Sequence, residues 1–559
     1  MRTRLWGTGL PWLLAAACSS DHSTPPVLPP CTAASAGQVT LAVAAYTAVD
    51  PTQTSGCAVF PANPSSAAIR YLLLPQSASP TPNDSEPYRL QGNPLAAPPA
   101  PGGAAAARVP AALRFDLGLR RTERELARGA TPLRRAAPAA PAGPAATTPV
   151  DSGNVRTFKV CAVVTCDPRQ PSTFASVTAT ALKVGRHIAI YVDNQAPQPG
   201  LTQLDLDALR AVFDSQLYEA DTLAFGRESD IDSNGQVIVL MTGKVNTLVT
   251  KAQCDTSGFI AGYFFGADLI TVAPFSTGNN GEIFYSIVPD SLATLSCAHT
   301  VSQVKRLVPV TFVHEFQHMI SFNQHFLLRG TAPEDLWLNE GLSHYAEEHG
   351  GRRFLTDTAA FCPYVVGDLY NAGQYLLKPA QYFLVDTAGI GGLANRGAYW
   401  LFVRFLVDQF ARDTSEAAAD AFTRSLEATS LTGAANVSAA TGTVFATLVE
   451  RWGLANYVSD LGGFAAPPEL QYVSWKFRSA FPLFNGKCSS AIPASFPLAP
   501  VTVAASAVNA SGVLRAGSSG YYLAQQGAAA AGFTLLFSDA AGTALRASLV
   551  PQLAVLRLQ

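Results

Sequence analysis

Residues 310–326, VTFVHEFQHMISFNQHF, place three histidines in one apolar run, and Glu315 directly follows the first of them. His314 and His318 are four residues apart, so on a helix they leave one face about 6 Å from each other, and both imidazoles can reach a single zinc ion. Glu315 leaves the helix about 100 degrees away, where its carboxylate meets an activated water rather than the metal. This is the H-E-x-x-H spacing of zinc-dependent hydrolysis. Two histidines on an apolar helix face are also common core residues, so context has to decide. The extended pattern H-E-x-x-H-x-x-G-x-x-H fails, because Ser321 and Gln324 stand where Gly and His are required and His325 falls one position late. Further on, PEDLWLNEGLSHYAEEHGG offers Glu340, which can face back and complete a His, His, Glu set with the fourth position open.

The elements that must carry these residues are legible. QVKRLVPVTFVHEFQHMISFNQHFLL predicts a long helix with Pro309 near its first turn. A second helix opens at Pro333, Glu334 and Asp335 and stops at Gly350 and Gly351, with Glu347 and Glu348 as its solvated end. Upstream, TFKVCAVVT and ASVTATALKVGRHIAIYVD read as strands, followed by a helix over LTQLDLDALRAVFDSQLYEADTLAF. Asp230, Asp232, Asn234 and Gly235 match the opening of a calcium loop, although Met241 occupies the twelfth position, where such a loop needs Glu. An ordinary Asp/Asn-Gly turn into a strand is the competing reading.

HEFQH followed by WLNEGLSHYAEE resembles the gluzincins, and residues 155–410 are similar to the hyicolysin family of bacterial secreted neutral zinc metallopeptidases. The resemblance implies an α+β, zincin-like catalytic domain with His314, His318 and Glu340 as zinc ligands and Glu315 as general base. It implies that GEIFYSIVP, residues 281–289, is an edge strand for peptide substrate. Gluzincins have Asp four residues after the ligand Glu. Here His344 stands there, so the residue that orients the zinc-bound histidines is not supplied by the family pattern. Gluzincins also bring an oxyanion donor from a later helix; on NRGAYWLFVRFLV the nearest phenol is Tyr399, whose competing role is core packing beside Trp400 and Phe402. The Gly-x-Met-Glu-Asn segment of aminopeptidase relatives is missing between residues 255 and 313, which favours an endopeptidase acting on protein or peptide.

At 559 residues with a net charge of −2, the chain exceeds one ordinary core and has no basic surface for nucleic acid. Residues 1–18 read as a lipoprotein-type signal ending at Cys18, and 19–37 as a tether, so the protein is expected at the outer membrane or cell surface, or secreted, with Cys18 its sole membrane contact. Residues 38–130 predict a β-rich N-terminal domain with a closing helix, 131–152 a disordered linker, 153–490 the catalytic domain, and 491–559 a small C-terminal β domain in a monomeric protein. The eight cysteines after Cys18 predict disulfides between sequence neighbours: Cys31 with Cys57, Cys161 with Cys166, Cys254 with Cys297, and Cys362 with Cys488. A different class remains open: a surface lipoprotein with a relic zinc site, serving as a binding or scaffold module.

Overall fold

The computed structural model describes residues 28–29, 31, 37–92, 110–136, 148–273, 278–387 and 392–559. The signal with Cys18, most of the tether and residues 137–147 of the expected linker lie outside them. The fold is mixed, with three sheets and many helices, in agreement with an α+β class.

The first strands are β1 (Gly37–Gln38), β2 (Tyr46–Val49), β3 (Cys57–Phe60), β4 (Ile69–Ser77) and β5 (Ser85–Gly92), followed by helix α1 (Ala111–Ala136). The middle of the chain supplies β6 (Val155–Cys161), β7 (Phe174–Val184), β8 (Ile188–Asp193), helix α2 (Gln203–Val212), β9 (Val237–Met241), β10 (Gly262–Phe264) and β11 (Ile283–Ser286). Then come α3 (Val301–Phe322), α4 (Leu336–Gly351), α5 (Thr358–Leu377) and α6 (Leu393–Phe410). The chain ends with β12 (Val501–Ala504), β13 (Asn509–Arg515), β14 (Tyr522–Gln526), β15 (Phe533–Asp539) and β16 (Pro551–Arg557).

The central sheet has the order β10-β11-β9-β8-β7-β6. β9, VIVLM, is buried at every position between parallel neighbours β8 and β11, as a continuous apolar strand requires. β10 pairs antiparallel with β11 and forms the edge. The segment expected as the edge, residues 281–289, is therefore covered by Gly262–Phe264, a strand too short to register in the sequence pattern. α3 lies against this part of the sheet, with Phe312 edge-on to Phe284 of β11 at 5.4 Å. A capping box between Thr300 and Gln303 starts α3 at Val301, which puts Pro309 inside the helix rather than near its first turn and leaves the carbonyl of Lys305 without its intrahelical donor.

The terminal β segments, read from sequence as separate domains, interleave. The two remaining sheets run β1-β3-β15-β5-β13 and β12-β14-β4-β16-β2, so each mixes strands from both ends of the chain. β4 shows why. Tyr71 and Leu73 enter the interior between these sheets, whereas Leu72 and Leu74 join the core of the helical region. Its apolar run is buried on both faces, which a lone N-terminal unit could not provide. α1 also departs from expectation: it continues through Ala136, into the segment read as linker, and packs against the catalytic region instead of closing the β unit. The four disulfides pair as the sequence predicts.

Shared sheets have a direct consequence. A chain ending at residue 490 strips β3, β4 and β5 of their partners β13 to β16, and is expected to lose soluble yield and cooperative thermal unfolding by circular dichroism. Native-like melting of that truncation would show that the two ends fold independently.

Candidate metal centre and active-site cleft

α3 brings His314 and His318 to one face, and α4 meets that face with Glu340. Nε2 of His314 lies 3.6 Å from Oε2 of Glu340, and Nε2 of His318 lies 3.3 Å from Oε1. Two ligands bound tetrahedrally to one zinc at about 2.0–2.1 Å are separated by roughly 3.3–3.4 Å, so the three side chains are spaced for a shared ion. Glu340 is 2% exposed, and neither of its carboxylate oxygens accepts a hydrogen bond. A buried carboxylate left without donors between two imidazoles fits a metal ligand. Burial opposes its charge, yet Arg396, 3.3 Å from Oε2, and His318 hold its pKa well below the usual range. Burial pushes His318 down to about 3, which keeps it neutral as a ligand must be.

Both histidines are oriented through their other nitrogen. His314 Nδ1 is 2.8 Å from Glu347 Oε1, and His318 Nδ1 is 3.1 Å from both Asn339 Oδ1 and Ser343 Oγ. Glu347 thus supplies what the family pattern left open. It is buried, not solvated, and so is Glu348, which receives the indoles of Trp400 and Trp475. The reason is that every residue of α4 is buried between its neighbours. Glu347 stands seven residues, two turns, after Glu340, so the spacing could have marked it; Asp368 and Arg120, from distant segments, left no such signal.

Glu315 points elsewhere, as the helical angle requires. Its Oε2 accepts the N–H of Phe264 at 2.9 Å and a weaker contact from Arg120 Nη2 at 3.4 Å. Burial pushes its pKa up to about 7, against the pull of His314 and Arg120. Residues of β10, α1, α3, α4 and α6 line the cleft here, among them Gly262, Asp116, His314, Glu315, His344 and Arg396. His344 holds Nδ1 against Asp368 at 2.9 Å and Glu347 at 3.0 Å, while its Nε2 has no partner. Burial opposes its charge, but Glu347 and Asp368 prevail and raise it to about 10. The grouping of His314, His344 and Glu347 is thereby explained by shared protons without a second ion.

Tyr399 takes the core position that the sequence offered as its competing role. It is 3% exposed and outside the cleft lining, and its hydroxyl lies 3.3 Å from both Asp386 and Asn395. It packs in the core, because the face of α6 that reaches the cleft carries Arg396, one turn earlier. His325 is buried beside Glu427 at 3.3 Å and Glu334 at 3.8 Å, away from the His/His/Glu group. Asp230 and Asp232 come together with Glu282, a separate cluster.

A stretch of 141 residues is 33% identical to the neutral metalloprotease ShpI of Staphylococcus hyicus. The match covers 24% of this chain and 28% of that protein. No protein-family model matches the chain. The likeness is to a metalloprotease, and the buried His/His/Glu group of this chain is a candidate metal site. Among the described residues no helix is long and apolar enough to cross a membrane, and the four disulfides are consistent with an extracellular protein.

Metal content after exhaustive dialysis tests the ligand set. Glu340→Ala is expected to leave the protein metal-free and His325→Ala to leave it loaded. Glu347→Ala should weaken metal affinity about 10–100-fold by freeing the ring of His314. A loaded Glu340→Ala protein alongside an empty His325→Ala protein would refute the assignment.

Proposed function

We propose that the protein is an exported, zinc-dependent endopeptidase of hyicolysin type with a zincin-like catalytic domain, in which His314, His318 and Glu340 hold the metal. The observation that carries this reading is the donor-free carboxylate of Glu340 set between two imidazoles at metal-sharing distances. A zinc ion held there would supply Lewis acidity toward water and a scissile carbonyl. Glu315 takes the proton of the attacking water and passes it to the leaving amine; burial gives it a pKa near neutrality, suited to both steps. The oxyanion donor is His344 rather than Tyr399. His344 lines the cleft, its Nε2 has no hydrogen-bond partner, and its Nδ1 is held by Asp368 and Glu347.

The substrate would extend along β10 as an added strand. In this structure α1 stands in its way. Phe264, on the open edge of β10, donates its N–H to Glu315 and accepts at its carbonyl from Arg120 Nη2 at 2.9 Å, so Arg120 takes the place that a substrate N–H would occupy. Asp116 of α1 also pairs with Arg396 at 2.6 Å across the cleft. Peptide entry therefore requires α1 to shift. A metal-binding scaffold without activity is the rival reading, and a base poised against the cleft, as Glu315 is, has no use in it. Lipidation at Cys18 would anchor the enzyme to the cell surface.

Casein digestion separates these readings. Glu315→Gln should keep its metal and lose nearly all activity; undiminished hydrolysis would leave the base unassigned. His344→Ala is expected to lower kcat by about 100-fold or more with metal retained, whereas Tyr399→Phe should leave kcat within a few-fold. The reverse pattern would restore Tyr399. Arg120→Ala, which frees the carbonyl of Phe264, is expected to raise kcat/KM on a peptide substrate, and a fall would make α1 a part of the working site instead of its obstruction.

A further inference from the structure

The loop leading into β9 carries a second cluster that the reaction does not use. Asp230, Asp232 and Glu282 each offer one carboxylate oxygen, and those oxygens lie within 4.8 Å of one another. Calcium binds oxygens at about 2.3–2.6 Å, so ligands across one ion can stand up to roughly 5 Å apart and the cluster has the right span. Glu282 directly precedes β11, and β11 pairs with β9, which the loop feeds. Although only 1% exposed, Glu282 keeps one oxygen, Oε2, without any partner.

Its other oxygen, Oε1, accepts the hydroxyl of Ser229 at 2.5 Å and the N–H of Ile231 at 3.1 Å, which leaves Oε2 as the oxygen still open to a cation. Asp232 Oδ1 is likewise buried without a partner. Among the described residues, the cation paired with the group is Arg156, 3.6 Å from Asp232 Oδ2, a single positive charge against three carboxylates. The backbone is already folded for the task. Ser233 and Gly235 adopt positive φ of 57° and 68°, Gly235 donates to Asp230 Oδ1 at 3.0 Å, and a Cβ on Gly281 would come within 2.9 Å of Asp232 Oδ2.

We propose that Asp230, Asp232 and Glu282 form a calcium site, in which Glu282 from the neighbouring strand replaces the acidic ligand that Met241 cannot provide. The ion would tie the loop before β9 to the start of β11, next to the edge strand β10. Asp230 is exposed, which leaves the ion a path from solvent. Asn234 does not join in through its carbonyl, because Oδ1 accepts the N–H of Gln236 at 2.6 Å.

The test uses the full-length chain, loaded with zinc and freed of calcium by dialysis. About 1 mM calcium, the range typical of extracellular modules, is expected to raise the Tm by several degrees and to bind one ion per chain by isothermal titration. Glu282→Gln keeps the shape and should lose the shift and weaken binding at least 100-fold; Asp230→Asn, at an exposed position with little influence on folding, should weaken it about 10-fold. An unshifted wild-type Tm, an equal shift with magnesium, or full binding by both variants would overturn the proposal. Casein digestion by zinc-loaded protein reads the catalytic centre separately, so failure of one site is distinguishable from failure of the other.

Discussion

Burying charge is the constraint on which this structure turns. Every residue of α4 is inside the protein, yet the helix carries Glu340, His344, Glu347, Glu348 and His349. Isolated buried charges are prohibitively unfavourable, so each must be met by a partner of opposite sign, a set of donors or a metal. The surrounding elements are arranged to do this. α3 turns its two histidines toward α4, α5 brings Asp368 to His344, and α6 brings Arg396 to Glu340 and Arg404 to Glu348. Among the described residues, the Glu340 carboxylate accepts no hydrogen bond while facing two imidazole nitrogens, and that distinguishes a ligand site from the ion pairs around it.

The same burial shapes the chemistry. Glu347 serves two histidines at once, fixing the ring of His314 and sharing the proton of His344. One carboxylate thereby couples the orientation of a metal ligand to the protonation of a cleft donor. Glu315 lies outside this network because its helical position turns it toward β10, where burial without a strong partner raises its pKa. α1 completes the environment from the other side. Arg120 is anchored by Glu123 at 2.9 Å, and Glu123 in turn accepts the N–H of Gly266 at 2.6 Å, so the helix is fastened to the strand edge it covers.

The terminal sheets support the site from a distance. The outer face of β4 and β16 contributes Leu72, Leu74, Ala554 and Leu556 to the core that also holds α4 and α6, while the opposite faces form their own interior.

What the sequence determined follows from local geometry. The four-residue spacing of His314 and His318, the angle of Glu315 and the apolar period of α3 depend only on helical repeat, so these were legible, and the cysteines pair with their neighbours in order along the chain. The Asp-x-Asp-x-Asn-Gly turn was legible for the same reason, but its missing carboxylate was not, because Glu282 reaches it through strand pairing. Tertiary structure alone decided the rest. Whether Tyr399 or His344 meets the cleft, which strand is the edge, and that α1 lies over Glu315 all depend on how segments far apart in the chain pack. Likewise, the two ends of the chain each present alternating apolar strands, a pattern that fixes which faces are buried and says nothing of which strands pair. Pairing is chosen by the fit of whole faces, and that information resides in no single segment.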